Sequence, residues 1–159
     1  MYRADEGLAF LLRYENIAWY EDGVVKILDR RIYPIRVESV VCRRHEEVAQ
    51  AIADMVTQSG GPYTAAAMGM ALAAYEAREL PEEAYIPYME KAAYTLSHTR
   101  PTTMERMKGV TRRAMGVLNR ELAIGTRRTD MPEKLRQDAI ARLNENYGRY
   151  DKIAVHLAD

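Results

Sequence analysis

The chain has 159 residues, with 23 lysines and arginines against 23 aspartates and glutamates. That length holds one domain with a substantial core and is short for two. The neutral balance favours no class of charged partner, no basic stripe is long enough for nucleic acid, and no apolar run reaches the ~18 residues of a membrane span.

The first 43 residues read as β-rich. "IAWYEDGVVKIL" (17–28) is two short runs around Asp22-Gly23, a strong hairpin signal because both central positions of a type I′ turn want positive φ. "VESVVC" (37–42) is β-branched and reads as a third strand, with Pro34 in the connection. "GLAFLL" (7–12) fits a strand or a helical turn equally.

From Glu46 the period becomes helical, with Val48, Ile52 and Met55 on one face and the breaker "SGGP" at 59–62. Pro62 suits the first turn of a second helix, whose "YTAAAMGMALAAYEA" is nearly free of charge and predicts a central helix buried on most sides. Pro81 opens a third helix over 82–96. Thr102 and Glu105 have the spacing of a capping box for a fourth, running to Leu122; Asp130 and Glu133 repeat it for a fifth. Leu135, Ala139, Leu143, Tyr147, Tyr150, Ala154 and Leu157 give the fifth helix steps of four and three over 22 residues. The expected fold is α+β: a small antiparallel three-stranded sheet (1–43) followed by a bundle of about five helices (44–159), in a single domain.

Chemistry is sparse. Cys42 is the sole cysteine, so no intrachain disulfide forms; Arg43 beside it would lower a thiol pKa, but a lone strand cysteine reads as a small core residue. His45, His98 and His156 lack metal-ligand spacing, and "HEEVA" (45–49) lacks the second histidine of a zinc helix. The carboxylates at 46–47 and 82–83 suit the helix dipole. Neither a catalytic group, a metal nor a cofactor is expected. Asp5 and Glu6 come early and no A-x-A cleavage site follows, against a signal peptide and for a cytoplasmic protein. Two loops stand out. "QSGGPYT" (58–64) precedes a helix, where backbone N–H groups face an anion. "HTRPTT" (98–103) places Arg100 ahead of a second helix start, adding positive charge where the dipole is already positive.

"GVVKILDRRIYP", "EEVAQAIADMV", the glycine-proline loop, "GMALAA" and "TRPTT", in that order, resemble the N-terminal half of the S-methyl-5-thioribose-1-phosphate isomerase family, with ribose-1,5-bisphosphate isomerase and the regulatory subunits of initiation factor 2B. The resemblance runs from about Ile17 to Asp159. It implies a front domain whose Rossmann-like C-terminal half, carrying the catalytic cysteine and aspartate, lies beyond "IAVHLAD" (153–159); Cys42 is not that cysteine. It implies a sugar-phosphate ligand held between the halves, a place in methionine salvage, a homo-oligomer, and the second half as partner in cis or in trans. Arg100 matches the family's phosphate-contacting arginine, and Gly60 and Gly61 match its phosphate-side loop. That loop usually reads R-G-A-P; here "TQSGGP" lacks the arginine. The isolated chain is expected to be inactive. The alternative is a non-catalytic regulatory or scaffolding module like the initiation factor subunits.

Overall fold

The computed structural model describes residues 1–158, and the side chains of 157–158 lie outside the description. Strands β1 (Ala18–Glu21) and β2 (Val24–Leu28) form the hairpin, with Asp22 at φ 47° and Gly23 at φ 78° as a type I′ turn requires. β3 (Ser39–Cys42) completes an antiparallel sheet of order β1-β2-β3, in which Val25 faces Tyr20 on one side and Cys42 on the other. Pro34 lies in the connection after a cis Tyr33–Pro34 bond. "GLAFLL" is neither strand nor α-helix; Phe10–Leu12 is a single 3₁₀ turn.

Among the described residues the helices are α1 (His45–Ala53), α2 (Gly61–Ala77), α3 (Glu82–Ser97), α4 (Met104–Ala123) and α5 (Met131–Ala158). The fold is α+β, as expected. α2 is central because its composition leaves no polar face to give to water: every residue except Tyr75 and Glu76 is buried, and the helix touches α1, α3, α4, α5, β1 and β2. Glu76, its acid, reaches across to α1. Its carboxylate accepts the His45 amide at 2.6 Å, His45 Nδ1 at 2.7 Å and the Tyr88 hydroxyl. Glu47 meanwhile reaches back to the amides of Arg43 (2.5 Å) and Arg44 (3.2 Å), so the α1 start is capped from both sides.

Two expectations are corrected. The Thr102–Glu105 box does not form: Pro101–Thr103 winds as a 3₁₀ turn, α4 begins at Met104, Thr103 makes no side-chain cap, and Glu105 pairs with Lys108 at 3.0 Å. The tighter turn after Arg100-Pro101 shifts the helix start past the hydroxyl that was to cap it. At α5, Asp130 does precede the helix, but its carboxylate accepts Arg127 Nε at 2.9 Å and Glu133 is engaged by Arg136. The α5 stripe also divides. Leu135, Ala139 and Leu143 are buried, and Tyr147 packs edge-on to Tyr14, whereas Tyr150 and Ala154 are exposed and the Leu157 side chain lies outside the described residues.

Candidate functional site

The site starts where α1 stops. Met55 takes the left-handed position of a Schellman turn (φ 61°): its amide donates to Ile52 O at 3.2 Å and the Val56 amide to Ala51 O at 3.0 Å. The chain then runs through Thr57 and Gln58 to Ser59, again left-handed (φ 58°), and turns into α2 with the Gly61 amide on Gln58 O at 3.0 Å. Gly60 and Gly61 occupy the N-cap and first position of α2, followed at once by Pro62. A Cβ at Gly61 would lie 1.8 Å from Thr57 Oγ1, so only glycine lets the loop close on the helix.

This helix start opens into a cavity of about 380 Å³. Residues 57–61 form one wall. Leu11, Leu12, Tyr147 and Tyr150 supply an apolar rim, and Arg30, Arg106 and Arg142 face inward from the segment after β2, from α4 and from α5. The lining holds three arginines and no carboxylate. Among the described residues none of the three makes an ion pair, in contrast to Arg113, which pairs with Asp138 (3.0 Å) and Glu145 (2.9 Å). The Arg106 guanidinium lies 4.2 Å over the Tyr63 ring, which fixes its position. Burial, then the like charges of Arg113 and Arg106, hold Arg142 below the ordinary arginine pKa; it stays charged at neutral pH all the same. Uncompensated positive charge beside the free N–H groups of a long helix is an arrangement that an anion relieves.

Of the residues singled out in the sequence, Gly60 and Gly61 line this cavity and Arg100 does not. Arg100 lies behind the loop. Its Nε donates to Ile52 O at 2.8 Å, and its Nη2 donates to the same carbonyl and to Thr57 O at 3.4 Å. Its acceptors are backbone carbonyls. Cys42 is fully buried, and burial, with Glu47 nearby, pushes its thiol up to about 11, so it carries no thiolate at neutral pH. Arg30, Arg106 and Arg142 were missed by sequence reading. They come from three elements far apart in the chain and share no motif; only the tertiary fold brings them together.

Comparison with known proteins accords with the resemblance. The methylthioribose-1-phosphate isomerase of Caldanaerobacter subterraneus is 37% identical over 99 residues, 57% of this chain and 28% of its own length. A relative from Archaeoglobus fulgidus is 31% identical over 138 residues, 85% of this chain and 40% of its own. The chain matches the N-terminal domain of the methylthioribose-1-phosphate isomerase and initiation factor 2B-related family. It spans about 28–40% of the length of these two relatives. No protein-family profile matches it. The fold is that of the 5-methylthioribose 1-phosphate isomerase of Pyrococcus horikoshii (TM-score 0.68, 21% identity, 82% of this chain and 36% of that one). The delta subunit of translation initiation factor eIF-2B from A. fulgidus is similar as well (TM-score 0.62, 26% identity, 86% of this chain and 37% of that one). No helix among the described residues is long and apolar enough to cross a membrane.

Proposed function

We propose that the chain is the phosphate-binding front domain of an aldose–ketose sugar-phosphate isomerase of the methylthioribose-1-phosphate isomerase type. The observation that carries this reading is the acid-free cavity with three unpaired arginines at the start of α2. A phosphate ester there accepts the Gly60 amide and charge-assisted bonds from Arg106 and Arg142, while its sugar faces the tyrosine rim. The names and coverage of the relatives support the substrate class.

Isomerisation moves a proton from C2 to C1 of the open-chain sugar and one between the two oxygens, which requires an acid–base pair. The cavity wall offers arginine, tyrosine, amide and hydroxyl groups and no carboxylate, histidine or thiol. The chain alone therefore binds without turnover, and the pair comes from a second half, in cis or in trans. Tyr150, at the cavity rim, continues one turn on into exposed Ile153, an apolar edge suited to that half or, in its absence, to a second copy of the chain. The initiation factor likeness supports an alternative in which the same cavity binds a sugar phosphate as a regulatory signal.

Titration of ribose 5-phosphate and of ribose into the purified chain tests the reading. Binding of the phosphate ester alone, weakened about ten- to a hundredfold by Arg142→Ala, is the expected result. Equal affinity for the two sugars, or no effect of Arg142→Ala, overturns it.

A further inference from the structure

The two edges of the sheet differ. Hydrogen-bonded pairs alternate along an antiparallel ladder, so every second residue of an outer strand turns its N–H and C=O away from its neighbour. In β1 the Leu28 amide donates to Ile17 O at 3.3 Å, which sets Ile17, Trp19 and Glu21 against β2 and turns Ala18 and Tyr20 outward. Ala18 and Tyr20 are buried, and α2 packs on this strand. In β3 the Asp29 amide donates to Glu38 O at 2.9 Å, which sets Glu38, Val40 and Cys42 against β2 and turns Ser39 and Val41 outward. Ser39 and Val41 are exposed, and among the described residues no hydrogen bond engages their outward groups.

Exposed edges are usually blunted by a lysine, a proline or a bulge. Here the open face of the edge carries Val41, with Ile35 and Val37 exposed just before the strand. We propose that β3 is a docking edge for a second copy of this chain, the two strands pairing antiparallel about a two-fold axis at Val41. Val41 then exchanges both backbone bonds with its counterpart. The Ser39 N–H of each copy donates to the Arg43 carbonyl of the other, while the Arg43 amide stays on the Glu47 carboxylate at 2.5 Å.

The occupant is a second copy because the strand complements itself. A two-fold axis normal to the sheet keeps every side chain on its own face, so the pairing joins residues of like face. With the axis at Val41, Val41 meets Val41 on the open face, half-buried Val40 meets Cys42 on the core face, and Glu38 meets Arg44 at the ends. Both charged groups are exposed and engaged only by near neighbours, Glu38 by Arg36 at 3.3 Å and Arg44 by Glu46 at 3.2 Å, surface pairs that cost little to exchange. Neighbouring registers lose the match. Val41 against Ser39 sets Arg36 opposite Arg44, and Val41 against Arg43 sets Val40 opposite Arg44. A register centred on Ser39 draws on Val37, which lies outside the strand. The edge is short, so the dimer is weak and reversible.

The test is sedimentation equilibrium of the whole chain from about 10 µM to about 1 mM, the range in which a small interface dissociates, with amide hydrogen exchange at both ends of it. The wild type is expected to dimerise, and exchange at Ser39 and Val41 to slow as concentration rises. Val41→Lys puts like charges on the axis and should weaken the dimer at least about tenfold. Val41→Pro should do the same by removing an N–H that β2 does not use, so the sheet is kept. Glu38→Lys should weaken the dimer, and the Glu38→Lys/Arg44→Glu double variant should restore it by rebuilding the pair with its charges exchanged. Ile153→Ser, on α5, should leave it unchanged. A wild type that stays monomeric over the whole range overturns the proposal, and so does a dimer that survives both Val41 variants. Loss of the dimer in Ile153→Ser but not in Val41→Lys moves the contact to α5 and rejects the β3 edge. A charge exchange that restores nothing rejects the register.

Discussion

The β1–β2 turn and the α1–α2 loop solve one geometric problem in two ways. Both send the chain through left-handed backbone twice: Asp22 and Gly23 in the turn, Met55 and Ser59 in the loop. In the turn the residues are chosen for the conformation, glycine having no Cβ and aspartate tolerating the region. In the loop they are not, and the conformation is imposed by Arg100, by the Arg30 amide and by the closure of Thr57 on Gly61. A turn that is its own template is rigid and serves the fold. A loop held from outside has stored strain and free amides, as binding sites often do. The contrast yields opposite expectations for the same kind of substitution.

The largest effect is expected in the turn. A Cβ at Gly23 sits at φ 78° and 2.5 Å from the Tyr75 ring of α2, over which the Arg78 guanidinium lies at 3.8 Å. Gly23→Ala combines left-handed strain with a clash and should destabilise the protein by about 3 kcal/mol. Urea unfolding measures it. In the Tyr75→Ala background the clash disappears and the cost of Gly23→Ala should fall to the strain alone, about 1–2 kcal/mol. A cost below that in the wild-type background would mean that the turn is not docked on α2.

Next comes the loop's closure. Gly61→Ala meets Thr57 Oγ1 at 1.8 Å with ordinary helical backbone, so its cost is steric and should be about 1–3 kcal/mol, partly recovered by Thr57→Ala. Gly60→Ala, with nothing within 4 Å of the added Cβ and φ −80°, should stay within about 0.5 kcal/mol of wild type. Equal costs at the two positions would show that the Thr57 contact does not set the loop.

The same contrast explains what the sequence made legible. Asp22-Gly23 carries its turn in two adjacent letters, α2 its burial in an uncharged run, and the first half of α5 its packing in steps of four and three; each signal is local. The same stripe continues to Tyr150 and Ala154, where the core has ended, because periodicity records a face and not what covers it. Thr102 and Glu105 have capping-box spacing, yet Pro101 draws the first turn into a 3₁₀ wind and the box is lost. Arg100 stands, by resemblance, where an anion is contacted, and its acceptors here are backbone carbonyls brought close only by the fold. Gly60 and Gly61 were found because a helix start after glycine is a local feature. Arg30, Arg106 and Arg142 were not, because their unpaired state depends on which carboxylates the fold keeps away.

The smallest expected effect has the sharpest sign. Met55 at φ 61° bears strain of about 1–2 kcal/mol for a residue with a Cβ. Its side chain is 47% exposed, which limits the buried surface that truncation removes. Glycine at this position relieves the strain but adds freedom to the unfolded chain, a loss of about 0.5–1 kcal/mol. The balance favours Met55→Gly by about 0.5 kcal/mol, a stabilisation obtained by inserting glycine. Asp22→Gly makes the parallel change in the hairpin, where aspartate already accepts the left-handed region, and there the unfolded-state term is left nearly alone, so stability should fall slightly. Matched urea midpoints for the two variants measure both signs. If Met55→Gly destabilises as much as Asp22→Gly, the loop is as well suited to its backbone as the hairpin is, and Arg100 holds no strain.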